Sequence, residues 1–171
     1  MSTADASFLC STCGKSHEGL PTDTGYTLPD EVWAIPDSER ADHAKWTKDL
    51  CQFGERYFFR CLLPVPFVSR PGYYGWGVWA EVKYEDFDRY YKLYDEDGSA
   101  EPEMLGTLAN AVPGYGRTLG LPICVQLRSS TSRPSIRFPL GADHAFAIEQ
   151  ARGIDEDRYH QILQSTGALP L

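Results

Sequence analysis

Residues 56–94, RYFFRCLLPVPFVSRPGYYGWGVWAEVKYEDFDRYYKLY, decide the fold. Residues 57–63 are aromatic or aliphatic on both faces, with the single charge Arg60 among them. Such a strand belongs in the middle of a covered sheet. Pro64 and Pro66 are expected to end it, since proline cannot donate to a ladder, and Arg70-Pro71-Gly72 supplies a turn. In residues 75–84 the side chains alternate: Trp76, Val78, Ala80 and Val82 share one face, Gly77, Trp79, Glu81 and Lys83 the other. Two strands joined by a turn predict an antiparallel hairpin. The period then changes. Phe87, Tyr90, Tyr91 and Tyr94 fall at i, i+3, i+4 and i+7, which predicts a helix with these rings toward the core, an aromatic ligand pocket being the sharper alternative. Trp79, on the face of Glu81 and Lys83, is expected under a covering loop.

Outward from this stretch the elements are weaker. Residues 22–37 are rich in Pro, Gly and Asp and read as a covering arm, pinned by Trp33 and Ile35. Pro36-Asp37-Ser38 caps a short helix that reaches about Lys45. Residues 104–112 fit a strand or a short helix equally. Residues 119–128 alternate as a strand, residues 129–134 form a hairpin loop and residues 135–138 a return strand. Asp143 is expected to cap a helix from His144 to Arg152, stopped by Gly153, and Asp155 caps the last one. The fold class is therefore α+β: an antiparallel sheet of at least four strands with packed helices and a zinc-knuckle-like N-terminal arm. The 171 residues suit a single domain. It divides into a knuckle at 1–21, an arm and short helix at 22–54, and an α+β core at 55–171.

The formal net charge is −8, and no basic run occurs. That argues against a nucleic-acid surface, which needs clustered Lys and Arg, and suits a basic protein partner. Residues 1–7 lack the apolar core of a signal peptide, and no apolar run approaches a membrane span, so a cytoplasmic protein is expected. The odd count of five cysteines fits reduced thiols or metal ligation.

The sharpest chemical signal is Cys10-x-x-Cys13-Gly14, the form of a zinc knuckle. His17 follows within reach of the same metal, and Cys51, in a polar Lys48-Asp49-Leu50 setting, is the best candidate for a fourth ligand. Such a site is closed and structural. Two unpaired surface thiols are the plainer alternative. Cys61 and Cys124 alternate with apolar neighbours and read as packing thiols. Arg60 needs a partner or a route to water: either a structural salt bridge or an anion-binding role in a cleft, which Arg117 and Arg133 would join. No phosphate loop, nucleophile elbow or zinc-protease motif is present, so no catalytic residue is assigned.

Four places in the chain resemble an uncharacterised bacterial family classed only as a domain of unknown function. They are Phe8 with Cys10-x-x-Cys13-Gly14-x-x-His17 and Leu20-Pro21; Asp49-Leu50-Cys51 leading into Tyr57-Phe58-Phe59-Arg60; Trp76-Gly77-Val78-Trp79; and His144 with Glu149-Gln150-x-x-Gly153-Ile154. The resemblance implies that Cys10, Cys13, His17 and Cys51 belong to one pattern; it implies no activity. Where the family pattern has His-Pro-Leu, this chain has His144-Ala145-Phe146. The expectation is a non-enzymatic binding or interaction protein with a structural zinc, immunity-type in one concrete form. The alternative is a small enzyme with a cleft where Arg60, Trp79 and His144 converge.

Overall fold

The computed structural model of the chain describes residues 19–169 in full, together with the backbone of two short strands, β1 (Phe8–Leu9) and β2 (Ser16–His17). These two pair antiparallel, Phe8 opposite His17. Then follow β3 (Asp23–Gly25), α1 (Asp30–Trp33), α2 (Asp37–His43), β4 (Ala44–Trp46) and β5 (Leu50–Phe53). The central hairpin is β6 (Arg56–Pro66) and β7 (Tyr73–Val82), followed by α3 (Tyr84–Lys92). The chain continues with β8 (Met104–Leu108), β9 (Pro122–Gln126), β10 (Ser135–Arg137), α4 (Ala145–Arg152) and α5 (Glu156–Ser165).

The sheet differs from the expected antiparallel one. β7, β8, β9, β10 and β6 are neighbours in that order, and β6 pairs again with β7, so five strands close into a barrel. Closure requires a parallel pairing, β10 on β6, where Ser135 lies opposite Leu62. β3 is also parallel, on the first half of β7. Both central strands are long because each serves two neighbours on one edge. β6 pairs β5 through residues 56–59 and then β10 at Leu62; β7 pairs β3 through residues 75–77 and then β8 through residues 80–82. The wing β5–β4 thus leaves the barrel at a fork beside Arg60.

Pro64 and Pro66 do not end β6. On its fork edge, the Arg60 N–H donates to the Asp49 carbonyl (2.9 Å) and the Leu62 N–H to the Pro134 carbonyl (2.8 Å). Residues 64 and 66 have the same parity, and β10 has no register partner there. Proline is tolerated where no strand would take the N–H. Gln150 of α4 closes this gap: its amide donates to the carbonyls of Pro64 (3.2 Å) and Ile136 (2.9 Å) and its oxygen accepts from the Phe138 N–H (2.9 Å). One side chain thereby satisfies three backbone groups at the open end of the barrel seam.

The barrel is filled by the odd positions of β6 and the even positions of β7, including Phe59, Leu63, Trp76 and Val78. Burial of this apolar surface is the main stabilising term. A second cluster lies outside, where Leu28, Val32, Ala44, Cys51, Phe58, Trp79 and Ala109 pack under the arm. Leu28 and Val32 pin that arm; Trp33, expected to do so, is 58% exposed beneath the Arg40 guanidinium. Trp76-Gly77-Val78-Trp79 therefore alternates between two cores. Gly77 has no side chain because β3 crosses it: a Cβ there would lie 3.2 Å from the Gly25 Cα. Of the α3 rings, Tyr90 is buried against Phe59 and Phe87 and Tyr94 are partly buried, but Tyr91 is exposed. It sits at the margin of the apolar stripe. Among the described residues no helix is long and apolar enough to cross a membrane.

Candidate functional site: a cleft at the fork

Where β5 and β10 part from β6, the outer face of the barrel opens into a cleft of about 610 Å³. Its polar side comes from Lys48 and Asp49, just ahead of β5, from Glu96 after α3, and from the β9–β10 loop, where Arg128 and Arg133 flank Ser129, Ser130, Thr131 and Ser132. Leu62 and Pro64 of β6, Tyr73 of β7, and Leu93 and Tyr94 after α3 supply the apolar side. The volume is that of a small-molecule site.

Asp49 ties the fork together. Its carboxylate is buried and accepts from Arg133 Nε (2.8 Å) and from the Tyr94 hydroxyl. Burial works to raise this carboxyl; the bonds from Tyr94 and Arg133, with the charges of Arg133 and Lys48, outweigh it and hold the group below its usual range. Arg60 stands next in line. Its guanidinium lies over the β3–β7 crossing, where a Cβ on Gly25 would come within 2.5 Å of Nη2. Among the described residues Arg60 makes no ion pair, and its Nε has no hydrogen-bond partner. Burial weakens its hold on the proton, repulsion from Arg133 adds to this, and Asp49 opposes it. Arg60, Arg133 and Asp49 thus form one electrostatic group, with two cations to one anion. The structural salt bridge expected for Arg60 is absent among the described residues, because Asp49 is taken by Arg133 instead.

Trp79 and His144 stand apart from this cleft. Trp79 is fully buried under the arm, its indole N–H donating to the Tyr26 carbonyl (2.9 Å) and its backbone N–H to Asn110 Oδ1 (2.8 Å). The expected covering loop is therefore present. His144, not Asp143, is the cap of α4: its Nδ1 accepts from the Phe146 N–H (3.1 Å). That leaves Nε2 to donate to the Arg117 carbonyl (2.9 Å). Both ring nitrogens hold local structure, and Arg117 joins His144 rather than Arg60. Glu149, beside Gln150, pairs with Arg158 of α5 (2.6 Å).

Cys10 and Cys13 lie outside the described residues, as does the His17 side chain. Cys51 is 1% exposed in the second apolar cluster, and burial pushes its thiol up to about 12. Cys61 is likewise a buried barrel thiol. Among the described residues no group of three or more His, Cys, Asp or Glu is placed to hold a metal.

The sequence singles out Arg60 and Arg133, and Tyr90 and Tyr94 as members of an alternative aromatic pocket, but not Lys48, Asp49 or Arg128 as a site. The available signal was the run Arg128-Ser-Ser-Thr-Ser-Arg133, four hydroxyls between two guanidiniums in a hairpin loop.

Residues 9–154 match the family model described as "Uncharacterized protein conserved in bacteria (DUF2199)". The matched span takes in the barrel, the fork and α4 and stops before α5. No curated protein and no solved structure matches the chain.

Proposed function

The chain belongs to the DUF2199 family of bacterial proteins, and on that premise we propose that it is a binding protein, not an enzyme, whose cleft at the fork takes an anionic ligand. One observation carries the reading: in a chain of net charge −8, three cations, Lys48, Arg128 and Arg133, line a single cleft against two carboxylates, exposed Glu96 and Asp49, the latter already held by Arg133, and Arg60 lies within electrostatic reach of Arg133. Low-dielectric walls focus such a field. The hydroxyls of the loop supply further donors. Asp49, the buried carboxylate of the cleft, is committed to Tyr94 and Arg133, which favours a holding role over acid–base work. Inorganic phosphate or pyrophosphate titrated into the protein by calorimetry should bind, more weakly as salt rises. Arg128→Gln, a change at an exposed loop position, should reduce that binding at least about fivefold, in line with loss of one charge-assisted contact. Titrations that stay flat for both anions at low salt would remove the proposal.

Zinc held by Cys10, Cys13, His17 and Cys51 belongs to the same reading, as a brace for the N-terminal arm. The apolar, neutral setting of Cys51 weighs against its share in the site. Protein purified without a chelating column should contain about one zinc per chain, lost in Cys13→Ser. Zinc kept in full by Cys51→Ser removes Cys51 from the ligand set, and metal-free protein ends the proposal. A basic protein partner, in the immunity-type form, is supported by the acid excess left once the cleft cations are set aside. Its association should weaken steeply with salt.

A further inference from the structure

We infer that the ligand of this cleft is an aryl phosphate, a phosphoryl group borne on an aromatic ring. This rests on the anion-binding reading above and adds two observations to it.

The first is the form of the polar side. A planar carboxylate is satisfied by one bidentate guanidinium, whereas a phosphoryl group presents three acceptor oxygens and takes donors from several directions. The loop offers that spread: Arg128 and Arg133 at its two ends, the hydroxyls of residues 129–132 between them, and Lys48 on the same cleft. The Asp49 carboxylate holds Arg133 by Nε alone, which orients the guanidinium and leaves its terminal nitrogens for an incoming anion. Ser129 Oγ lies 3.2 Å from Thr131 Oγ1 and 3.4 Å from Ser132 Oγ. These are long, exposed contacts between rotatable hydroxyls that can turn toward phosphoryl oxygens.

The second is the remaining space. At a liquid-water share of about 30 Å³ each, a cleft of 610 Å³ corresponds to roughly twenty waters, far more than an inorganic phosphate displaces. What borders that space is mostly apolar and partly open, with exposed Glu96 the charged exception: Tyr73 is 47% exposed, and Leu62, Pro64, Leu93 and Tyr94 are half-buried. A flat ring covers such a surface, and its faces and edges suit Tyr73 and Tyr94. No bond is made or broken in this proposal; the aryl phosphate is held.

Phenyl phosphate, inorganic phosphate, benzoate and phenol are titrated into the full chain by calorimetry in a phosphate-free buffer. Phenyl phosphate should bind at least tenfold more tightly than inorganic phosphate or benzoate, and phenol should show no heat. Tyr73→Ala should abolish the advantage of phenyl over inorganic phosphate while leaving inorganic phosphate unchanged. Arg128→Gln should weaken both phosphates, with an unaltered near-ultraviolet dichroism as the folding control. Equal affinity for phenyl and inorganic phosphate overturns the aryl assignment and leaves the anion site standing. Equal affinity for benzoate overturns the phosphoryl assignment. No binding of any anion overturns both this inference and the function it rests on. Release of phenol during the titration overturns the binding-only role.

Discussion

Phe146→Ala is expected to destabilise the protein by about 4 kcal/mol, read as a lower urea midpoint at unchanged m-value. Phe146 is the second residue of α4 and has no exposed surface. Its ring stacks on Tyr115 at 4.0 Å between centroids, meets Trp76 edge-on at 6.2 Å and lies 5.2 Å from Phe138. These neighbours come from inside the barrel and from two loops outside it, so they cannot all move in to fill the space. That places the cost toward the upper part of the range for aromatic truncation. The same side chain sets where α4 sits, and α4 carries Gln150 to the seam between β6 and β10. Loosening the helix therefore also uncovers the Phe138 N–H and two carbonyls, a second cost of the same origin. Phe146→Leu, which keeps most of the volume, should cost less than about 1.5 kcal/mol. A loss below that figure for Phe146→Ala would mean that α4 does not plug the barrel.

The sequence shows the hairpin β6–β7 plainly because its pattern is local: alternation, a turn, then a change of period into α3. For the same reason it shows that Cys61 and Cys124 are buried, although only Cys61 joins the barrel core. Barrel closure was not legible. It depends on one parallel register pair, Ser135 with Leu62, far apart in the chain, and on a glutamine that stands in for missing ladder bonds. β3, β4 and β5 have three or four residues each, too few for alternation to declare a strand, and their pairing is fixed only by the long strands they join. Pro64 and Pro66 misled for a related reason: whether proline breaks a strand depends on which edge its missing N–H faces, and the edge is a tertiary fact. The site divides in the same way. Arg60 is conspicuous as a charge in an apolar run. The group that answers it joins Asp49 to Tyr94 and Arg133, 45 and 84 positions away, and no local spacing encodes such a meeting.

Asp49→Ala is expected to lower stability by about 2–3 kcal/mol near neutral pH. Breaking a buried ion pair costs about 3–5 kcal/mol when it strands a charge, but Arg133 is 41% exposed and partly rescued by water, so the lower figure applies. Two things are lost together: the acceptor for the Tyr94 hydroxyl, and the negative charge that offsets the repulsion of Arg133 on Arg60. The pH dependence follows from the direction of the Asp49 shift. Its carboxyl titrates lower in the folded chain than its ordinary value of 3.8, so the folded state binds this proton less readily than the unfolded one. The stabilisation is thus complete above about pH 4 and is lost as pH falls through the depressed folded value. Urea midpoints of the native chain and of Asp49→Ala should differ by a constant amount between pH 5 and pH 8, on the order of the figure above, and converge below about pH 4. A difference that persists undiminished toward pH 3 would show that packing, not charge, accounts for the loss. Asp49→Asn separates the two further: it keeps the volume and an acceptor for Tyr94 but withdraws the charge, so it should retain part of the stability while leaving Arg60 and Arg133 uncompensated. On the proposed function that uncompensated pair has a second consequence: the amide oxygen still accepts from Arg133 Nε and orients it, while the negative charge that opposes an incoming anion is gone. Asp49→Asn should therefore bind phosphate more tightly than the native chain although it is less stable, a combination that a purely structural role for the fork does not produce.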